Sequence, residues 1–196
     1  MKNPAIRIGL LAALLLPALA LAHTGGGAHT HEAASFHAGL LHPLTGLDHL
    51  AAMVALGLWS ALALRRVWLA PAAFVLMLAV GAVAGMQGLG IPAIEPMIAS
   101  SLLVLGLLVA VRHSLPLPAA LALAGFFAFF HGAAHGYELA SEPAWPALAG
   151  MLLATAALHG LGIVLGRAFF TRQRWLAPAT GSAVALLGSA LLLGLA

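Results

Sequence analysis

The chain of 196 residues contains no cysteine and very little charge. Without cysteine there is neither a disulfide framework nor a thiolate metal site, so imidazole, carboxylate, thioether or backbone groups must hold any metal. Charged residues make up only 7% of the sequence, against about 25% in an average soluble domain. A soluble protein of this size needs more polar side chains to cover its surface. The 63% of hydrophobic residues must therefore largely face lipid.

Basic residues are also too few and too scattered to form a nucleic-acid surface, although the formal net charge is +3. Only eight lysines and arginines are present. Six of them lie in short segments between apolar runs: Arg65, Arg66, Arg112, Arg167, Arg172 and Arg174. This distribution is typical of membrane topology and not of a phosphate-binding face. The sequence also lacks a Walker-type glycine-rich loop, which excludes ATP hydrolysis by that route.

The first residues have the pattern of a secretory signal peptide. A short positive start precedes an apolar stretch over 8–21, and a small-x-small sequence ends at Ala22. We expect cleavage there, and not an uncleaved first helix, because a polar segment follows. Residues 23–40 then form a periplasmic tail that cannot build a core. Its imidazoles either collect metal ions or belong to a plain linker: His23, His29, His31 and His37.

Six apolar runs follow, each near the ~20 residues that a bilayer requires. They are too long and too uniformly apolar for barrel strands, so we predict an all-α, polytopic bundle of six transmembrane helices over 41–196. The arginines fall in the first, third and fifth connections, which places those loops in the cytoplasm and both mature termini in the periplasm of a bacterial inner membrane. The predicted runs are 41–64, 67–87, 93–111, 117–137, 144–165 and 175–195.

Placing ionisable or imidazole side chains within a membrane costs free energy, so each one calls for an explanation. The first group of such side chains lies in HPLTGLDHLAAM, residues 42–53. His42 and His49 share a face if the helix is continuous, but about 10 Å then separates them along the axis. One ion cannot bind both without a bend. Asp48 either binds the metal directly or holds His49 in the correct tautomer. Met53 lies one turn further and is an accessory candidate.

The second group lies in FHGAAHGYE, residues 130–138. His131, His135 and Glu138 fall on one helical stripe, so two imidazoles and a carboxylate can serve one ion. This donor set suits Ni²⁺, Co²⁺ or Zn²⁺ better than Mg²⁺ or Ca²⁺. The two glycines of the motif allow another helix to approach closely. For both groups the alternative is a hydrogen-bonded network between helices.

Two further residues are candidate metal ligands, but for each of them an ordinary structural role is a stronger alternative than in the two motifs. Glu95 lies at the outer start of the third run, where it can join the same site or simply interact with a helix N-terminus. His159 lies deep in the fifth run, as an accessory ligand or as a hydrogen-bond donor between helices. From the topology, the outer ends of helices one, three and four can meet at one depth and form a cation site.

The two motifs resemble the signature motifs of the HupE/UreJ family, and the resemblance extends over essentially the whole chain. It implies a nickel or cobalt permease, often associated with hydrogenase or urease maturation. Glu95 matches the acidic position of the family less distinctively. The resemblance implies functional roles for His42, Asp48, His49, His131, His135 and Glu138.

We therefore expect a facilitator or secondary transporter that carries Ni²⁺ or Co²⁺ and has no prosthetic group and no enzymatic activity. Its partners are the metal ion, the lipid bilayer and, functionally, a nickel-enzyme maturation system. One rival is an intramembrane zinc hydrolase with Asp48 or Glu138 as general base. Ser100, Ser101 or Tyr137 would assist it. The other rival is a metal-binding accessory protein that transports nothing.

Overall fold

The computed structural model describes residues 36–139 and 144–195, and every regular element in these ranges is a helix. The predicted signal peptide and the tail residues His23, His29 and His31 lie outside them. The helices are α1 (Phe36–Thr45), α2 (Leu47–Ala63), α3 (Leu69–Met86), α4 (Ile94–Val111), α5 (Leu117–Glu138), α6 (Ala144–Leu165) and α7 (Leu176–Leu192). A π-helical turn, Gly166–Phe170, extends α6.

Helix length and hydropathy identify a membrane protein. Four helices in the described ranges are long and apolar enough to cross a bilayer, namely α3, α4, α5 and α6 with its π-helical turn. The bent pair α1–α2 makes a fifth span if it is counted as one, and α7 is apolar but has only 17 residues. The predicted all-α membrane fold is confirmed, whereas six spans stay a prediction.

The predicted first helix, 41–64, is wrong as a continuous element. It begins earlier, at Phe36, and an 85° bend separates α1 from α2. Pro43 lacks the N–H of an ordinary helical residue, and the hydroxyl of Thr45 donates to the His42 carbonyl at 2.7 Å. Gly46 is extended, with φ −96° and ψ 118°, and its carbonyl accepts the first hydrogen bond of α2 from the Leu50 amide.

Glycines allow α3 and α5 to pack backbone against backbone. A Cβ atom at Gly81, Gly85, Gly132 or Gly136 would collide with a carbonyl oxygen of the facing helix. Such small-residue contacts are the usual way that membrane helices approach closely. The close approach expected from the glycines of the second motif is therefore confirmed.

Similar contacts join the bent pair to α6. Gly39 of α1 packs on Ala147, and Gly57 of α2 packs on the backbone of His159. At the opposite end of the bundle, Arg112 donates to the carbonyls of Phe170 and Arg174 at 2.7 and 3.2 Å. The end of α1, which carries His42, and the start of α2, which carries His49, thus lie beside the C-terminal end of α5, away from the arginine-bearing loops.

Candidate metal centre

Three side chains from the two motifs meet where α1 approaches the end of α5. Nε2 of His42 lies 3.1 Å from Nδ1 of His135 and 3.1 Å from Oε2 of Glu138. The same Glu138 oxygen lies 3.4 Å from Nδ1 of His135. We call this group the outer triad. It lies partly open, because the side chains of His42 and Glu138 are 35% and 45% exposed, whereas that of His135 is 3% exposed.

The bend at Gly46 brings the two histidines of the first motif to the same neighbour. The ring centroid of His42 lies 4.8 Å from that of His135, and the centroid of His49 lies 4.6 Å from it on α2. The sequence argument required a bend if one ion were to reach both imidazoles, and the structure contains it. The His135 ring is the common neighbour of the two.

Asp48 lies against His49, as the second of the two predicted alternatives requires. Its Oδ1 atom lies 3.0 Å from Nδ1 of His49 and accepts the His49 amide at 2.8 Å. A carboxylate accepts only, so the His49 ring donates through Nδ1–H and carries its lone pair on Nε2. Among the described residues, His49 Nε2 is buried and has no hydrogen-bond partner. That nitrogen is therefore oriented and free to bind a metal.

His131 lies one helical turn deeper than His135 and is fully buried. The hydroxyl of Ser101, on α4, donates to the Ile98 carbonyl at 2.6 Å. Because a hydroxyl has only one hydrogen, the contact at 3.0 Å between Ser101 Oγ and His131 Nε2 requires Nε2–H to be the donor. The lone pair of His131 is then on Nδ1, which has no partner within the described ranges.

The four imidazoles form one continuous series. Ring centroids are 4.8 Å apart from His42 to His135, 4.6 Å from His135 to His49, and 5.0 Å from His49 to His131. The first ring is partly exposed and the last is completely buried. We call these residues the imidazole series. It leads from one end of the bundle into its interior.

Other predicted residues lie outside the outer triad and the imidazole series. Glu95 is exposed in the first turn of α4, without a hydrogen bond or ion pair to any described residue. His37 is exposed and contacts the Phe36 ring. Met53 is buried in the apolar core. His159 is fully buried and borders Phe74, whose ring also borders His131.

The spacing of the outer triad fits a transition-metal ion. Two ligand atoms, each about 2.0–2.1 Å from one ion, lie about 2.9 Å apart at a right angle and about 3.4 Å apart at the tetrahedral angle. The three measured separations fall within this interval. Two imidazoles and one carboxylate on one side of an ion also leave positions open for water or for the next ligand.

Sequence reasoning did not identify two neighbours of the series. The sequence suggests Ser101 only as an assisting residue in the rival hydrolase, and it gives no indication for Phe74. Serines and phenylalanines are ordinary constituents of apolar helices, so their identity alone carries no signal. Only the packing of α3 and α4 against α5 shows their contacts with His131.

Comparisons with known proteins identify the family. The family model described as HupE / UreJ protein matches residues 11–191. A curated relative, Protein HupE of Rhizobium leguminosarum bv. viciae, is 46% identical over 187 residues, which cover 94% of this chain and 95% of the relative. No solved structure matches the chain. Because the family model covers nearly the whole sequence and both histidine motifs lie inside the match, the chain belongs to the HupE/UreJ family.

Proposed function

We propose that this protein takes up a divalent transition metal, Ni²⁺ or Co²⁺, across the bacterial inner membrane. The observation that carries the proposal is the outer triad, whose three donor atoms lie 3.1–3.4 Å apart at the partly open end of a buried imidazole series. The donor set and family membership together support nickel or cobalt as the ion. The metal ion is cargo and not a cofactor.

Capture begins at the outer triad. Glu138 offers the negative charge that draws a hydrated cation to this end, and His42 and His135 replace part of its water. His135 lies between His42 and His49, so an ion bound to His135 can exchange the first of these ligands for the second without becoming free. His131 provides the next lone pair inward. Each step replaces one imidazole by another of equal charge and similar donor strength.

Membrane topology supports inward movement. With the arginine-bearing loops in the cytoplasm, the outer triad faces the periplasm. A divalent cation moving inward gains about 4.6 kcal/mol per 100 mV of membrane potential, twice the value for a single charge. That gain suits a facilitator or secondary transporter. In this scheme 1–22 is a cleaved signal peptide, 23–40 lies in the periplasm, and 41–196 spans the membrane six times.

Family membership supports a functional link with nickel-enzyme maturation. Hydrogenase and urease require nickel, and a permease of this kind supplies the ion that their maturation systems insert. We propose this link for the chain as a whole. The histidine-bearing tail would then raise the local metal concentration near the outer triad.

The proposal is tested by metal accumulation in cells that express the protein at limiting Ni²⁺ or Co²⁺. Replacement of His135 by Ala removes the ligand shared by the triad and the series, so we expect uptake to fall to the level of cells without the protein. The matched control is His113→Ala, because the exposed His113 side chain lies in a loop far from the triad. Normal uptake by His135→Ala would overturn the proposed function.

Reconstitution separates transport from the rival functions. The purified protein in liposomes should accumulate Ni²⁺ or Co²⁺ without any partner protein, and accumulation should increase with an inside-negative potential. Zn²⁺ and Cu²⁺ assayed alongside give the selectivity. Stoichiometric metal binding without accumulation would instead indicate an accessory protein or a zinc hydrolase.

A further inference from the structure

His159 of α6 is fully buried and has no hydrogen-bond partner among the described residues. Its relative exposure is 0%, and neither Nδ1 nor Nε2 has a hydrogen-bond partner in the described part of the chain. One ring nitrogen of a neutral imidazole carries a hydrogen and the other a lone pair, so both a donor and an acceptor are left unsatisfied. Leaving such groups unsatisfied in a protein interior is unfavourable. A hydrocarbon side chain would avoid that cost.

His159 lies further inward than the imidazole series. At about 1.5 Å per residue, His131 lies about 10 Å from the Glu138 end of α5, and His159 lies about 22 Å from the start of α6. Both helix ends flank the same connection, so these depths are measured from the same side of the bundle. The side chain of Phe74, on α3, borders both imidazoles.

Phe74 contacts both imidazoles and is itself fully buried. Its ring centroid lies 5.6 Å from that of His131 and 5.1 Å from that of His159. A cation within about 6 Å of an aromatic centroid is stabilised by the ring quadrupole, most strongly where water is excluded. The phenyl ring therefore separates the two imidazoles with a surface that excludes water and still tolerates a passing cation.

Helix packing holds His159 in place. Gly57 of α2 lies directly on the His159 backbone, and Gly162 of α6 packs on the Val54 carbonyl. The same helix α2 carries His49 at its outer start. Ser60 of the same helix, three residues after Gly57, is also fully buried, and its hydroxyl oxygen has no hydrogen-bond partner among the described residues.

We propose that His159 is an inner metal-binding station, reached from His131 past the Phe74 ring. It takes a Ni²⁺ or Co²⁺ ion through a ring nitrogen and passes it toward the arginine-bearing end of the bundle. This inference rests on the proposed function, because the inner station receives its ion from the outer triad and the imidazole series. It adds a further binding position beyond His131 and an apolar partition, the Phe74 ring, between His131 and His159.

The test uses two variants that differ mainly in the donor atom. His159→Leu removes both nitrogens and fills the site with hydrocarbon, whereas His159→Met has nearly the same volume and supplies a thioether sulfur. Both variants are compared with the wild-type protein in liposomes for initial Co²⁺ and Ni²⁺ uptake. Equilibrium Co²⁺ binding and thermal unfolding are measured in detergent.

We expect His159→Leu to unfold at the same or a higher temperature than wild type, because two unsatisfied polar atoms are removed. It should bind Co²⁺ at the outer triad with unchanged affinity, yet its uptake should fall about ten-fold or more, the scale of a lost metal contact. His159→Met should recover a measurable part of that loss. A packing role would leave uptake intact in the leucine variant.

Equal uptake by the leucine and methionine variants would overturn the inner station. If His159→Leu does not reach the membrane, His159→Phe replaces it in the same comparison, since a planar ring fits against Phe74. The proposed function is tested separately by the His135→Ala variant. Loss of uptake in His135→Ala together with equal uptake in the two His159 variants refutes only the inner station. Normal uptake in His135→Ala refutes the proposed function.

Discussion

Replacement of Ser101 by Ala tests whether the orientation of His131 matters for metal transfer. In the structure the Ser101 hydroxyl donates to the Ile98 carbonyl and accepts from His131 Nε2–H, which leaves the Nδ1 lone pair free. The substitution removes only the hydroxyl group, which is the acceptor for His131 Nε2–H. The ring then has no partner at either nitrogen, and both tautomers become accessible.

The expected effect is modest and can be estimated. One net hydrogen bond contributes about 0.5–1.5 kcal/mol, so the fraction of His131 in the productive tautomer and orientation should fall about two-fold to ten-fold. Uptake at low metal concentration should fall by the same factor. The free energy of unfolding should decrease by about 1–3 kcal/mol, because Nε2–H becomes a buried donor without an acceptor.

The neighbouring serine provides the matched control. Ser100 lies on the same helix and donates to the Pro96 carbonyl at 2.7 Å, but it contacts no imidazole. Ser100→Ala therefore removes a comparable hydroxyl without affecting His131. Initial Ni²⁺ uptake is measured over a concentration series for both variants, so that a change in apparent affinity is separated from a change in maximal rate.

A double-mutant cycle distinguishes orientation from general destabilisation. If Ser101 acts through His131, then Ser101→Ala should have no further effect on uptake in a His131→Ala background. If both single variants reduce uptake and the double variant shows the product of the two reductions, the two residues act independently. That result would refute the tautomer argument, as would equal uptake in Ser100→Ala and Ser101→Ala.

Three further predictions follow from the same contacts. Asp48→Asn should lower uptake about 10- to 100-fold in a cell accumulation assay, because an amide no longer favours the Nδ1–H form of His49; unchanged uptake would contradict that role. Glu138→Gln should weaken Co²⁺ binding about ten-fold or more in a spectroscopic titration, since a neutral oxygen replaces a carboxylate ligand; an unchanged dissociation constant would exclude it as a ligand. Gly132→Ala should reduce the free energy of unfolding by about 1–3 kcal/mol through overpacking, whereas Gly90→Ala, with open space around it, should not.

The sequence predicted most helices because length and apolar composition are local properties. The predicted run 67–87 corresponds to α3 (Leu69–Met86), and 117–137 to α5 (Leu117–Glu138). The break in the first run was not predicted, because an apolar stretch continues on both sides of it. The break depends on a hydroxyl, a glycine and the packing of α1 against α6, and the last of these is a tertiary contact.

The sequence pointed to most of the residues that meet at the candidate site, although Glu95 lies apart from them, but it did not indicate which residues pair with which. Imidazoles and carboxylates in apolar helices are candidates for a functional role because burying them in a membrane costs free energy. Helical spacing suggested that His131 and His135 share one ion. The structure instead places His135 with His42, from a different helix, and His131 with Ser101. Contacts between helices decide such pairings, and neither spacing nor composition encodes them directly.

In the proposed transport, the distribution of charge along the imidazole series accounts for both the entry and the release of an ion. Of the described residues, only Asp48, Glu95 and Glu138 are acidic, and all lie in the first or last turn of helices at the outer end. An ion at the outer triad would therefore have a carboxylate ligand, Glu138. An ion bound to His49 would have the Asp48 carboxylate hydrogen-bonded to the other nitrogen of that imidazole. Beyond His131 no described carboxylate is available, so the divalent charge is least compensated in the most apolar region.

In the proposed transport, the step past Phe74 is consequently the highest barrier, and the membrane potential would act on an ion at this depth. Three ligands at the outer triad, and fewer at each later position, keep binding too weak to trap the ion. A complete tetrahedral cage would bind more tightly and release nothing. In this proposal the incomplete ligand sets and the apolar partition are complementary: the first would allow release of the ion, and the second would keep water out of its path.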